Sequence, residues 1–252
     1  MTPNLGTEDQ TEDMRPGLGF AGVTHLRQFA RDGGLLITSM DTASLAVSAG
    51  LTPGVTIGSA RNLKIVGSVV RSKVVDGASP IAYGYGDDLA IWCFNGPIFN
   101  LTNVVGAPGR RPLGPDIGTR PTGRGTLDDF DVPQGRDRVE APEEPKAEAW
   151  QALPPTDDQL RTGINVIPPN ARPRVILRYA DNRSLLVSGL VEGGAEIAQH
   201  PAVVDVPVGK GHVVLFSNNP VWRGETEGSY FLVFNAILNF DNLNAGRTLD
   251  AK

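Results

Sequence analysis

The stretch HVVLFSNNPVWRG, from His212 to Gly224, places a short apolar strand directly before a polar turn. The run VVLF is typical of a buried strand, and the sequence SNNP ends it abruptly. In α/β proteins, functional groups collect just beyond the carboxyl ends of buried strands. The side chains that follow this strand are therefore candidate binding residues, namely Asn218, Asn219, Trp222 and Arg223.

The segments around this strand alternate between helical and strand patterns. Residues 17–32 predict a helix, because several apolar residues recur at helical spacing: Val23, Leu26, Phe29 and Ala30. LLITS, Leu35 to Ser39, predicts a short buried strand, and a second helix capped by Asp41 or Thr42 is expected to end at Gly50. Residues 62–76 predict a further strand.

The carboxyl-terminal third of the chain repeats this alternation. AVVDVPVGKGHVVLFS predicts two strands joined by the VGKG turn, and TEGSYFLVFNAILNF predicts a terminal helix. Five residues of that helix are expected to face the core: Tyr230, Phe231, Phe234, Ile237 and Leu238. Helices alternating with short buried strands predict an α/β fold with helices on the faces of a sheet.

The composition divides the chain into ordered and disordered parts. The 252 residues include 30 glycines and 20 prolines, many of them in residues 106–170, which have few large apolar side chains. Such a segment buries too little surface to offset its ordering entropy, so we predict a disordered insertion there with a weak helix near residues 143–153. Residues 1–16 are predicted to be a disordered lead and 242–252 a tail, so the folded domain comprises 17–105 and 171–241.

The totals exclude several classes of function. A net charge of -5 argues against a nucleic-acid partner. The one cysteine, Cys93, lies in an apolar run, which predicts a buried thiol, and it permits neither an internal disulfide nor a thiolate zinc site. No apolar run is long enough to span a membrane, and the polar, acidic start has no signal-peptide pattern. The chain is therefore expected to be cytoplasmic or to be part of a longer protein.

Motifs for catalysis are weak in this sequence. GLGFAG, Gly17 to Gly22, fits a dinucleotide-binding pattern, but no strand pattern precedes it, so we interpret it as a glycine-rich start of a helix. The histidines, at positions 25, 200 and 212, form no zinc-peptidase signature. Ser39 lies where a nucleophile elbow would be, but its neighbours Thr38 and Met40 are not small, and Ser39 and Asp41 are expected to satisfy the turn and cap the helix.

Four segments together resemble a known family: GVTHLRQFARDGGLLITSMDTASLAVSAGL, SPIAYGYGDDLAIWCFNGPIFNL, RYADNRSLLVSGLV and VPVGKGHVVLFSNNPVWRGETEGSYFLVFNAIL. They look like the C-terminal domain of bacterial carboxypeptidase A-like zinc peptidases, which itself resembles class I glutamine amidotransferases. The resemblance covers about residues 17–105 and 171–240. It implies a flavodoxin-like, class I amidotransferase-like sheet with helices on both faces that lacks its first strands.

The resemblance also implies a catalytically silent site. Active class I amidotransferases carry a strand that ends in Phe-His-Pro-Glu, whose histidine is the base for a cysteine nucleophile. With that proline placed on Pro220, Asn219 takes the histidine position and Val221 the glutamate position, while LLITSMD supplies no cysteine. An asparagine cannot accept a proton at neutral pH. Asn218 and Asn219 are then expected to hydrogen-bond the strand-end backbone and hold the turn before Trp222.

The resemblance implies that this chain is an accessory domain, or a fragment, of a zinc carboxypeptidase, which packs against the peptidase domain or binds a substrate or partner protein. Zinc is implied only for the peptidase domain, and no cofactor is expected here. The family implies a periplasmic or secreted location, and the missing strands imply self-association through an exposed strand edge. Two alternatives remain open: a hydrolase that uses Ser39, Asp41 and Asn219, and a module that binds a small ligand at the strand ends. An accessory module predicts an exposed apolar face.

Overall fold

A computed structural model describes residues 17–104, 154–162 and 166–247 of the chain. Its helices are α1 (Gly19–Arg31), α2 (Asp41–Ser48), α3 (Asp157–Thr162), α4 (Asn182–Leu185) and α5 (Tyr230–Leu238). Its strands are β1 (Leu35–Ser39), β2 (Val55–Gly58), β3 (Lys64–Ile65), β4 (Ser68–Val74), β5 (Asp88–Cys93), β6 (Ile98–Leu101), β7 (Arg174–Tyr179), β8 (Leu186–Ser188), β9 (Val191–Glu192), β10 (Pro201–Val208) and β11 (Gly211–Phe216). The predicted helix at 17–32, the strand at 35–39 and the β10–β11 hairpin all match elements of the structure.

The main sheet is mixed, in the order β1-β11-β10-β7-β4-β5, with β8 paired to β4. β1 runs parallel to β11, and every other pair in this sheet is antiparallel. The carboxyl ends of β1, β11, β7 and β5 therefore lie at one edge of the sheet. β1 is the border strand, and two small ribbons, β2–β6 and β3–β9, complete the α/β fold.

Helices cover both faces of the sheet, because the buried strands carry apolar side chains on both sides. Along β11, Val213 and Leu215 join a core with α1 and α2, whereas Val214 and Phe216 join a second core with α5. The continuous apolar run in β11 is thus explained by a strand that is covered on both faces.

The predicted core face of α5 is wrong. Four of its five residues are about half exposed or more: Phe231 is 61% exposed, Phe234 48%, Ile237 51% and Leu238 78%. Leu232 and Ala236 face the core instead. The helix carries apolar side chains on several sides, so the spacing of apolar residues could not predict which side faces the core. The side-chain amide of Asn235 fixes its rotation by donating to the carbonyls of Ile81 and Tyr83, at 3.2 and 2.9 Å.

Folded residues extend beyond two predicted boundaries, the end of the insertion at residue 170 and the start of the tail at residue 242. Val104 bridges Val166, and the N–H of Ile167 donates to the carbonyl of Asn103 at 2.8 Å. Ile167 is buried, although it lies within the insertion that is predicted to end at residue 170. Helix α3 also lies within the predicted insertion, and its residues are exposed or half-buried.

The predicted tail also packs against the sheet. Leu243 is fully buried, and the Arg174 guanidinium donates to the carbonyls of Leu243 and Ala245 at 3.2 and 2.8 Å. The predictions for residues 1–16, for 105–153 and for the last five residues lie outside the described part of the chain. Within the described ranges, no helix combines the length and apolarity of a membrane span.

Candidate functional site

The junction between β1 and α2 forms a sharp elbow at Met40. Its backbone has φ 52° and ψ -124°, a conformation that L-residues rarely adopt. Its N–H donates to the carbonyl of Phe216 at 3.0 Å, and its carbonyl accepts from Ala43 and Ser44 at 3.1 and 3.2 Å. A strained strand-to-helix turn of this kind presents its central side chain at the top of a sheet, as nucleophile elbows do.

The elbow therefore lies one residue beyond the predicted Ser39. Ser39 is still part of the β1–β11 ladder, opposite Phe216. Its N–H donates to the Thr42 hydroxyl at 3.0 Å, and that hydroxyl donates to the Ser39 carbonyl at 2.6 Å. Asp41 is exposed at the first position of α2, where a carboxylate favours the helix dipole. In the described residues, no hydrogen bond joins the Ser39 hydroxyl to a histidine.

The two asparagines after β11 differ in their surroundings. The Asn219 side-chain oxygen accepts the N–H of Val221 at 3.1 Å, which holds the turn as the sequence predicts. Asn218 is completely buried, and neither its amide oxygen nor its amide nitrogen has a hydrogen-bond partner within the described ranges. The predicted backbone bond of Asn218 is thus not formed by its side chain, and burying an unpaired amide costs about 1–3 kcal/mol.

Gly96 brings the loop after β5 against both strand ends. A Cβ atom at this position would lie 1.8 Å from the Ser217 carbonyl oxygen and 3.3 Å from the Met40 sulfur. Only a glycine allows the loop to approach this closely. The Met40 side chain is thereby held beside the end of β11, and Ser39, Met40, Asn218 and Asn219 share one edge of the sheet.

A buried hydrogen-bonded chain crosses the same edge from β5 to β11. The Ser217 hydroxyl donates to the carbonyl of Ala202 at 3.2 Å, and the Tyr179 hydroxyl lies 2.6 Å from the Ser217 oxygen. The Cys93 sulfur lies 3.4 Å from the Tyr179 oxygen. Burial raises the pKa of Cys93 to about 11 and that of Tyr179 well above its usual value. The Cys93 thiol and the Tyr179 hydroxyl are therefore both protonated at neutral pH, and these hydrogen-bonded residues supply no thiolate nucleophile.

Trp222 and Arg223 contact the aromatic residues at the carboxyl end of β5. Trp222 stacks on Trp92 with ring centroids 4.7 Å apart, and the Arg223 guanidinium lies 4.8 Å from the Trp222 ring. Trp92 in turn stacks on Phe94 at 6.4 Å. These predicted binding residues form an aromatic stack rather than a lining around Asn218.

The three histidines have different surroundings in the structure. His25 is exposed on α1, His200 approaches the Phe99 carbonyl at 3.3 Å, and His212 pairs with Asp205 at 2.7 Å. In the part of the chain that the structure describes, no group of three or more His, Cys, Asp or Glu residues could hold a metal ion. Met40 was missed as the elbow residue because no small residues around it signal the turn.

Comparisons with known proteins assign this chain to no family. No family model matches the chain, and no curated protein matches it. A solved structure, the "Cytoplasmic Protein STM3548" from Salmonella typhimurium, is similar with a TM-score of 0.36 and 10% identity over 87% of this chain. This chain matches 60% of that protein's length.

Proposed function

We propose that this chain is a catalytically silent, class I amidotransferase-like domain that serves as an accessory module of a zinc carboxypeptidase. The observation that carries the proposal is the elbow at Met40. Its backbone has the strained geometry of a nucleophile position, yet its side chain is a thioether. A thioether has no proton to lose and cannot be turned into an anionic nucleophile.

The residues around the elbow support the same proposal. Asn219 precedes Pro220 at the position where the family resemblance expects the catalytic histidine, and its oxygen is engaged by the N–H of Val221. Asn218, beside it, is buried without a partner. An amide at either position cannot act as a general base at neutral pH.

The exposed face of α5 supports a docking role for the domain. We call Phe231, Phe234, Ile237 and Leu238 the α5 face; each is between 48% and 78% exposed. Contiguous apolar residues on a surface often mark a site of contact with another protein. The hydrolase alternative is less well supported, because His212, which pairs with Asp205, lies opposite Leu35 at the far end of β1 from Ser39.

The elbow can be tested by placing a thiol on it. We expect Met40→Cys to react with iodoacetamide at about pH 7 at least about tenfold faster than Ser39→Cys, since a thiol at the N-terminus of α2 has a lowered pKa. The native Cys93 is buried and provides the unreactive background in both proteins. Equal rates for the two variants would contradict an elbow built for a nucleophile.

Separate experiments test the absence of catalytic activity and the docking role of the α5 face. The purified chain should show neither glutaminase nor carboxypeptidase activity, and turnover that is lost in Ser39→Ala would instead establish the hydrolase alternative. Phe234→Ser combined with Leu238→Ser should abolish calorimetric binding to a purified zinc-peptidase domain of the family. Leu45→Ser on α2, 53% exposed in the native chain, is the matched control. Absence of binding by the native chain would overturn the accessory role.

A further inference from the structure

A second site lies near the strand ends but uses none of the elbow residues. It is a cavity of about 300 Å³ between the β2–β6 ribbon and the segment before β10. The Ser217 N–H donates to the Ala202 carbonyl, so the start of β10 lies beside the end of β11. The polar residues that line this cavity are Ser59, Arg61, Asn100, Glu196 and His200.

Asn100 is the feature that indicates a ligand. Asn100 is only 3% exposed, and its Oδ1 atom has no hydrogen-bond partner in the described residues. Gly58 makes room for it, because a Cβ there would lie 2.8 Å from the Asn100 amide nitrogen. A buried acceptor that lines a cavity and lacks a partner is suited to a donor on a bound molecule.

Arg61 and Glu196 are charged residues that line the same cavity, and Arg61 indicates which other group a bound molecule could carry. The Glu196 carboxylate accepts the backbone N–H groups of Arg61 and Asn62, at 2.8 and 3.0 Å, which fixes the loop that carries Arg61. The Arg61 side chain also lines the cavity. A guanidinium presents several donors that match a carboxylate.

We propose that this cavity binds a small hydroxycarboxylate, with its carboxylate on Arg61 and its hydroxyl donating to Asn100. A cavity of this volume is at the lower end of the range for ligand sites and suits a molecule of a few heavy atoms. The proposal does not use the elbow or the α5 face and stands independently of the proposed function.

Three related probes test the two contacts separately in solution. L-lactate carries both groups, propionate lacks the hydroxyl, and lactamide lacks the carboxylate. We expect L-lactate to shift the NMR signals of the Asn100 side-chain amide and of Gly58, with about tenfold weaker binding of propionate and of lactamide. Absence of binding by L-lactate, or equal binding of L-lactate and propionate, would overturn the proposal.

Variants then locate the binding. Asn100→Leu should raise the melting temperature, because it removes an unpaired buried amide oxygen, and should remove the preference for L-lactate over propionate. Gly58→Ala is a second variant that should disturb the same contact, since the added methyl group presses on the Asn100 amide. Arg61→Met should weaken L-lactate and propionate equally, whereas Arg27→Met, on a different cavity, should change neither. Loss of binding in Arg27→Met with retention in Arg61→Met would refute the site.

Discussion

Removing the charge of the buried Asp205 carboxylate should destabilise this fold strongly. Asp205 is completely buried on β10, and its two oxygens contact different partners. Oδ1 lies 2.7 Å from His212 Nδ1, and Oδ2 lies 3.3 Å from the Arg247 guanidinium. Arg247 also donates to the Arg172 carbonyl at 2.7 Å, so the carboxylate ties the carboxyl-terminal segment to the sheet.

Asp205→Asn keeps the shape of the side chain and removes its charge. Burial already lowers the pKa of Arg247, and the negative charge of Asp205 is the largest effect that opposes this lowering. Removing one partner of a buried ion pair typically costs about 3–5 kcal/mol. For a domain of this size, that loss corresponds to a fall in melting temperature of about 6–20 °C. Urea unfolding monitored by tryptophan fluorescence measures the same change as a free energy of unfolding.

Two further variants make the result specific. Adding Arg247→Met to Asp205→Asn should recover part of the loss, because the double variant no longer buries an uncompensated guanidinium. Asp88→Asn removes an exposed carboxylate that pairs with Lys73, and it should leave the melting midpoint unchanged. An Asp205→Asn protein that melts together with Asp88→Asn would refute the argument.

Three shorter predictions concern the strand ends. Gly96→Ala should destabilise the fold by at least about 1–3 kcal/mol in urea unfolding, because the new methyl group overlaps the Ser217 carbonyl; an unchanged midpoint would mean that the loop is not held there. Cys93, whose pKa burial raises to about 11, should resist Ellman's reagent between about pH 7 and about pH 9 in the folded chain and react only as urea unfolds it. Asn218→Leu should raise the free energy of unfolding by about 1 kcal/mol, since it removes an unpaired buried amide, and a decrease would assign that amide an unseen partner.

The elements that sequence predicts best are those whose pattern admits one solution. β1, β11 and α1 each have a single apolar pattern bounded by glycine or by polar residues, and their predicted bounds agree with the structure within two residues. The rotation of α5 could not be predicted, because leucine, phenylalanine and isoleucine occur on several of its sides. Its rotation depends on Asn235, whose two carbonyl partners lie more than 150 residues away in the chain.

The candidate site was predictable in position but not in detail. A polar turn after a buried strand marks the edge of the sheet, and Asn219 holds that turn. The elbow at Met40 and the cavity at Asn100 have no local signal. Both depend on which segments the tertiary fold brings close, such as Gly96 against Ser217 and Gly58 against Asn100.

The free edge of β1 leads to the last prediction, that the chain self-associates. The Gly34 carbonyl and the Met40 N–H bond to β11, so the alternate residues Leu35, Ile37 and Ser39 direct their backbone groups outward. Thr42 satisfies those of Ser39. Within the described residues, β1 pairs only with β11, which leaves Leu35 and Ile37 as a template for another strand.

A second copy can pair with this edge about a two-fold axis, with Leu35 opposite Ile37 of the partner and four backbone hydrogen bonds between them. Those bonds contribute about 0.5–1.5 kcal/mol each, against an association cost of at least about 4 kcal/mol, so we expect weak, concentration-dependent dimers. Phe29, 52% exposed beside Gly34, adds apolar contact near the same edge. Leu35→Pro removes an outward N–H and should shift light scattering toward the monomer, whereas Leu35→Ala keeps that N–H and should still associate. A native chain that remains monomeric at about 1 mM would show that this edge does not pair.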